Sequence, residues 1–285
     1  MCLCFSVILL PHYNTRPVLR FSIITVTYNA AESLAATIAS VEAQRHPAIE
    51  HLIIDGNSSD DTLALVHHYQ ERNSHRSQPC DIVCRSEDDR GIYDAMNKGL
   101  DLATGDYLVF LNAGDTLAAP TTLSDIAEQV AQATAGSSQP SSWPAVLYGD
   151  TDIVDADGTY LRPRHHRPPE TLAWRTYRRG MLVCHQAFYV RTDLARAQHY
   201  DLRFRLSADY DWCIRVMQQA EAEGLGYLNT HLVLCHYLDG GVSVQRHRAS
   251  LIERYRIMRR HFGLLPTLWS HCRKVVASGV ARLKA

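Results

Sequence analysis

The sequence predicts an α/β fold built on a largely parallel sheet, and three observations predict it. Between Phe21 and Leu111, short apolar runs and helix-period segments alternate four times. The runs are continuously apolar, as strands covered on both faces are. Polar clusters at 27–29, 55–60 and 112–115 each follow the end of such a run. Ligands of open α/β sheets bind beyond the carboxyl ends of the strands, so the chain sets Asp, Asn and Ser along a binding rim.

The elements follow in order. Phe21 to Val26 reads as a buried strand that feeds Thr27-Tyr28-Asn29. Leu34, Ile38 and Val41 repeat at helical spacing. His51 to Ile54 is a second strand, and Ser58, Ser59 or Asp60 can cap the helix carrying Leu63 and Val66. Residues 71–79 read as a polar loop, Asp81 to Arg85 as a strand, Ile92 to Ala103 as a helix and Tyr107 to Leu111 as a fourth strand. A helix near 121–133 precedes a Ser/Gly/Pro-rich loop at 134–144. Strands are expected at 146–148 and 153–154, with Asp157-Gly158 as a hairpin turn. Residues 162–180, with six Arg and two His, read as an irregular basic loop. Leu206 to Gln219 and Ile252 to Phe262 are helical, and Tyr227 to Cys235 is a strand.

Composition narrows the function. A net charge of −1 over 285 residues gives no general attraction to nucleic acid, and 46% hydrophobic residues suffice for a continuous core. The eight cysteines form no CxxC pair, which argues against a zinc ribbon and for a reducing, cytoplasmic setting. No apolar run is long enough to span a membrane, and apolar Met1 to Leu10 lacks the basic start and small-residue cleavage site of a secretory signal. Charge is uneven: from Arg254 to Ala285 there are eight Lys or Arg and no Asp or Glu.

Four constellations can carry chemistry. Asp55, at a strand end, either organises a turn or accepts hydrogen bonds from the ring N–H of a pyrimidine. Asp94 and Lys98, four apart on one helix face, form a surface ion pair or face a ligand. Asp115, just past an apolar strand, belongs to a tight turn or offers an oxygen to Mg²⁺, which takes one or two carboxylates plus substrate phosphates. Asp209 opens a helix whose dipole favours an ionised carboxylate, so it serves as a cap or as a general base.

In this order the four segments resemble family-two glycosyltransferases of the GT-A fold, of the kind that assembles bacterial surface polysaccharide and O-antigen. The matching phrases are "SIITVTYN" at 22–29, "IIDGNSSDDT" at 53–62, "DRGIYDAMNKGLDLATGDYLVFLNAGD" at 89–115, "SADYDW" at 207–212 and Gly240-Gly241-Val242-Ser243. The resemblance implies an inverting enzyme that moves a sugar from a nucleotide-sugar donor, with UDP the default, to a saccharide or lipid-linked saccharide acceptor. It implies that Thr27, Tyr28, Asn29, Asp55 and Ser58 hold the nucleoside. Asp94, Lys98, Asn112, Ala113 and Gly114 then lie along the diphosphate and donor sugar, Asp115 binds a Mg²⁺ or Mn²⁺ cofactor with His236 as a further candidate ligand, and Asp209 is the base.

Two departures stand out: Gly114 and Ala208 occupy positions where the family pattern carries a second acid. They leave a catalytically impaired sugar-nucleotide binder as the alternative. A nucleotidyltransferase or a dinucleotide-dependent dehydrogenase would need a Gly-rich phosphate loop after the first strand, which Thr27-Tyr28-Asn29-Ala30-Ala31 does not supply. The expected organisation is an extension over 1–20, a nucleotide-sugar half over 21–133, an acceptor and base half over 134–245, and a basic helical tail over 246–285. The tail, with Leu264, Leu265, Trp269, Val275 and Val276 beside Arg273 and Lys274, is expected to touch a membrane surface from the cytoplasmic side.

Overall fold

The computed structural model describes residues 18–135, 142–240 and 247–270. Nine strands form one sheet in the order β3-β2-β1-β4-β8-β6-β9-β5, with β7 paired to β6. Strands β1 (Phe21–Thr27), β2 (Ile49–Asp55), β3 (Asp81–Ser86) and β4 (Tyr107–Phe110) are mutually parallel, so their carboxyl ends share one edge. Helices α1 (Ala31–Glu42), α2 (Thr62–Ser74) and α3 (Ile92–Leu102) connect them. This parallel half meets the expectation closely.

Side chains alternate across a strand, and the two cores follow from that. Ile24, Val26, Leu108 and Phe110 face one cluster with Met96, Trp212 and Ile214, while Phe21, Ile23, Tyr107 and Val109 face another with Leu123 and Ile126 of α4 (Thr122–Ala133). The second half of the sheet is mixed. Strand β8 (Phe188–Arg191) runs antiparallel between β4 and β6 (Val146–Val154), and β9 (Tyr227–Leu238) runs parallel to β6. At the far edge β5 (Thr116–Leu117) lies antiparallel to β9. That pairing draws the turn after β4 against residues 236–238.

Several local expectations need correction. Helix α2 continues through Ser74, into the stretch read as a loop, because Tyr69 is fully buried and Asn73 exchanges hydrogen bonds with the backbone of Cys80. The two short strands at 146–148 and 153–154 are one strand. Its polar middle is accommodated by a register shift against β9, where Gly149 has no room for a side chain beside the Leu232 carbonyl. The basic stretch 162–180 is ordered. It holds the end of β7 (Tyr160–Pro163) and a 3₁₀ helix at Trp174–Arg179, gathered by Arg164, whose guanidinium donates to the carbonyls of His166, Met181 and Leu182.

Helix α6 (Ala208–Ala222) follows a short α5 (Thr192–Arg196) and buries Trp212, Cys213 and Ile214 completely. The start of the basic tail is integral to the domain. In α7 (His247–Phe262), Ile257 and Met258 are buried, and His261 bonds Asp211 of α6 at 2.7 Å. Residues 1–17, Gly241 to Ser243 and the tail from 271 onward, with Arg273, Lys274, Val275 and Val276, lie outside the described residues. No described helix is long and apolar enough to cross a membrane, and the five described cysteines are free.

Candidate active site

Register builds the first part of the site. Thr27 pairs with Asp55, and Asp55 with Ser86, so three polar side chains stand in a row at the carboxyl ends of β1, β2 and β3. Asp55 is fully buried and accepts four hydrogen bonds: from Thr27 Oγ1 at 2.9 Å, Ser58 Oγ at 2.5 Å, Ser58 N at 2.9 Å and Ser86 Oγ at 2.7 Å. Burial alone would raise its pKa, but the donors from Ser58, Ser86 and Thr27 outweigh it and hold the carboxyl below its ordinary range. Asp55 thus shapes the rim. Each oxygen already has two donors, so a base contact requires one of them to be exchanged.

The loops after β1 and β2 are stitched together. Asn29, with φ of 48°, donates its N–H to Ser58 Oγ and accepts from Ser59 N. Asp60 receives Ala31 N and Thr62. Tyr28 stays exposed beside Gly56, where an added Cβ would lie 2.5 Å from an Asp89 carboxylate oxygen. Of the two readings of Asp94 and Lys98, the ion pair between them does not form. Asp94 is held by Arg90, through N at 3.0 Å and the guanidinium at 2.9 Å, whereas Lys98 Nζ bonds the Asp88 carbonyl at 2.7 Å and Glu87 at 3.0 Å. Gly91, with φ of 117°, starts the helix and lets Arg90 fold back onto the first turn.

Asp115 lies inside the turn, only 4% exposed. It accepts from Gln186 Nε2 at 2.8 Å and from Leu238 N at 3.0 Å, and burial pushes its carboxyl up to about 7 against those donors. It has no cationic partner among the described residues. In the same turn Asn112 Oδ1 is buried without a hydrogen-bond donor. An uncompensated carboxylate and an orphaned amide oxygen are ligands a hard cation takes, the rest coming from substrate phosphates. Among the described residues there is no group of three or more His, Cys, Asp or Glu that could hold a metal. His236 is half-buried on β9 opposite Thr116, on the strand face that also carries Leu238.

The structure explains both missing acids. Gly114 has φ of 101°, and an added Cβ would meet Leu238 Cδ2 at 2.8 Å; Ala208 is fully buried in the apolar cluster around Trp212. A side chain at 114 would strain the backbone, and a carboxylate at 208 would be desolvated. Gly114→Ala is expected to lower stability by about 1–3 kcal/mol through backbone strain, read as a reduced midpoint in urea unfolding.

Asp209 caps this arrangement at the start of α6. Its Oδ1 accepts from Tyr93 OH at 3.1 Å and from Tyr210 N at 2.9 Å, while Oδ2 has no donor among the described residues. Beneath it lies an aromatic stack: Tyr93 on Tyr200 at 5.4 Å, Tyr200 on Trp212 at 5.0 Å, and His185 on Phe110 at 5.1 Å. His185 Nε2 bonds Tyr200 OH at 2.8 Å, and burial lowers its pKa to about 4, so the ring is neutral near pH 7. One 3₁₀ turn, His185–Ala187, therefore joins the two acids: Gln186 holds Asp115, and His185 braces the stack under Asp209.

The roles of Gln186, His185, Tyr93, Tyr200 and Ser86 escaped the sequence reading. Their signal was faint: two adjacent polar residues, His185 and Gln186, inside an otherwise apolar stretch from Met181 to Val190. Buried polar residues in such a setting have partners that sequence does not name.

A largely parallel sheet with a polar carboxyl rim fits the GT-A fold expected from the sequence, and comparison with known proteins agrees on fold and family. The family model for glycosyl transferase family 2 matches residues 22–193. The PGL/p-HBAD biosynthesis glycosyltransferase of Mycobacterium tuberculosis is 33% identical over 225 residues, 78% of this chain and 78% of that protein. The amylovoran biosynthesis glycosyltransferase AmsB of Erwinia amylovora is 26% identical over 198 residues, 68% and 63% of the two chains. Among solved structures, Staphylococcus aureus TarS 1–349 in complex with UDP-GlcNAc superposes with a TM-score of 0.65 at 17% identity, over 85% of this chain and 65% of that one. The mannosyltransferase PcManGT from Pyrobaculum calidifontis, in complex with GDP-Man and Mn²⁺, gives 0.59 at 16%, over 89% and 69%. At such identities the structural likeness shows the fold, which is GT-A. The chain belongs to glycosyl transferase family 2.

Proposed function

We propose that the protein is an inverting glycosyltransferase that moves a hexosyl or N-acetylhexosaminyl group from a nucleoside-diphosphate donor, UDP foremost, to a hydroxyl of a saccharide or lipid-linked saccharide. The setting is cytoplasmic assembly of surface polysaccharide, of the O-antigen kind among others. One observation carries the reading. Of the carboxylates singled out at 55, 94, 115 and 209, only Asp209 keeps an oxygen without a protein donor among the described residues.

The reaction is a single displacement. Asp209 Oδ2 takes the proton of the acceptor hydroxyl while that oxygen attacks the anomeric carbon. The bond from that carbon to the diphosphate breaks on the opposite face, which inverts the configuration. Tyr93 OH and Tyr210 N hold Oδ1, so the base does not swing away from the acceptor. The Thr27–Asp55–Ser86 row, with Tyr28, Asn29 and Ser58, forms the nucleoside end of the pocket. Asp94, Lys98 and the backbone of Asn112, Ala113 and Gly114 line the diphosphate and donor sugar. Asp115 and Asn112, with His236 as a further candidate, would hold Mg²⁺ or Mn²⁺. When bound, that ion supplies Lewis-acid neutralisation of the leaving diphosphate. Neighbours of the same fold in complex with UDP-GlcNAc, or with GDP-Man and Mn²⁺, support a nucleotide-sugar donor and a divalent ion as the ligands of this reading.

The test is nucleotide release from a panel of sugar nucleotides, with Mn²⁺ and with chelator. Metal-dependent release is expected, and Asp115→Asn should reduce it by about 10²-fold, or roughly 3 kcal/mol. Without metal the same variant should be no less stable than the parent at pH 8. A buried acid whose folded pKa is raised adds stability below the unfolded value near 4, and that stability is lost as pH rises through about 7. Donor binding with no release, with or without metal, would instead support the impaired binder suggested by Gly114 and Ala208.

A further inference from the structure

After Gly263 the chain forms a further helical segment at 264–270 whose polarity is reversed relative to an ordinary surface helix. Its small and polar residues face the protein. Thr267 is fully buried and bonds the Gly263 carbonyl, Ser270 bonds the Arg178 carbonyl, and Pro266 lines a cleft with Trp174 and Phe262. Its large apolar residues, Leu264, Leu265, Leu268 and Trp269, are exposed, Leu265 at 79% and Trp269 at 68%. Positions 264, 265, 268 and 269 fall on one helix face. Of the twelve exposed large hydrophobics among the described residues, six lie between Leu251 and Trp269. Scattered exposed leucines need no explanation, but a contiguous apolar face does.

The charge around this face is mostly basic, although Arg175 of the adjoining cleft is paired with Glu221 at 2.7 Å. Arg178, Arg256 and Arg259 are exposed: Arg178 shares the cleft with Pro266 and its carbonyl accepts from Ser270, and Arg256 and Arg259 stand on α7, which leads into the segment through Gly263. The sequence beyond adds Arg273, Lys274, Arg282 and Lys284 with no acid. Glu253, the one acid in α7, is turned inward and accepts from the backbone of Arg205 and Leu206. A cleft of about 290 Å³ between Trp174, Arg175, Arg178, His261 and Phe262 opens next to the apolar face. It combines aromatic walls with guanidinium groups.

We infer that the 264–270 face, together with the exposed Arg178, Arg256 and Arg259 on the elements that adjoin the segment, docks on an anionic lipid bilayer. Leucine and tryptophan enter the headgroup boundary, and the arginines meet lipid phosphates. Interfacial helices bind by this combination of buried apolar area and attraction to anionic lipid. The inference goes beyond sugar transfer and is read without any activity assay.

The experiment is co-sedimentation of the full chain with vesicles of phosphatidylcholine alone and of phosphatidylcholine mixed with phosphatidylglycerol, together with tryptophan emission. Binding is expected to the anionic vesicles, at least about tenfold tighter than to neutral ones, and to weaken in about 0.5 M salt. Emission should shift to the blue, and Trp269→Phe should abolish the shift while binding persists. Leu265→Asp, and separately Arg178→Glu with Arg259→Glu, should each weaken binding about tenfold or more with the urea midpoint unchanged. These positions are exposed, so the fold does not depend on them. No preference for anionic vesicles, or binding unaffected by both sets of variants, overturns the inference. So does a dimer in light scattering that Leu265→Asp dissociates, because the face would then be covered by a second copy. Loss of vesicle binding with nucleotide release intact removes this inference alone, leaving the sugar-transfer reading in place.

Discussion

Asp209→Asn is expected to lower turnover by a factor on the order of 10²–10⁴, or roughly 3–5 kcal/mol, because a positioned base supplies about that much to proton removal. Asparagine keeps an oxygen that accepts from Tyr93 OH and Tyr210 N, so the side chain stays in place and only its ability to take a proton is lost. Donor affinity should therefore remain within about twofold, since the change falls on the transition state rather than on ground-state binding. Steady-state kinetics and calorimetric titration of the donor measure the two quantities separately. Turnover near that of the parent would remove Asp209 from the role of base.

Asp211, two residues further along the same helix, should behave in the opposite way. It is fully buried, bonded to Arg215 Nε at 2.7 Å and His261 Nε2 at 2.7 Å, with Arg260 at 3.7 Å. Burial opposes its charge, but hydrogen bonds from His261 and Arg215 outweigh that and keep its pKa below the ordinary carboxylate range. Removing one partner of a buried charge network costs about 3–5 kcal/mol. Arg215 retains Gln198 Oε1 at 2.6 Å and the His199 carbonyl at 2.7 Å, so Asp211→Ala should fall near the lower figure. The pair fixes α7 onto α6, and urea unfolding should show the loss directly. The folded protein's depressed carboxyl pKa means this stabilisation is present above about pH 4 and is lost as pH falls below it. Turnover of the folded fraction should stay close to that of the parent. The two acids thus separate catalysis from stability within a single turn.

How much of this was legible in the sequence depends on the range of the interactions. The parallel half was readable because each of its strands is a continuous apolar run and each of its helices repeats at 3.6 residues, and both patterns are local. Asp55, Asp115 and Asp209 could be singled out because each directly follows or opens such an element. The mixed half was readable only in part: β6, β9 and α6 were legible as elements, but their smaller neighbours were not. Strand β8 has four residues, α5 five, and β5 two, too few for a period to show. Their existence rests on pairing with β4, β6 and β9, which are distant in sequence.

Partners were hidden for the same reason. The helix spacing of Asp94 and Lys98 left an ion pair as one of two readings, but the chain before α3 folds back, and Arg90, Glu87 and Asp88 take their places. Gln186 meets Asp115 across 71 residues, and Tyr93 meets Asp209 across 116. The missing acids at 114 and 208 read as losses until the positive φ of Gly114 and the burial of Ala208 show that an acid would be strained at the first and desolvated at the second.

The most direct test is a crystal structure with UDP and Mn²⁺ bound. It should place the uracil at the Thr27–Asp55–Ser86 row and the diphosphate against the 112–115 turn, with the ion on Asp115 and the open side of the diphosphate directed toward Asp209. Nucleotide bound elsewhere on the molecule, or bound at this rim with Asp209 pointing away from it, would contradict the central claim that these acids serve one sugar-nucleotide pocket.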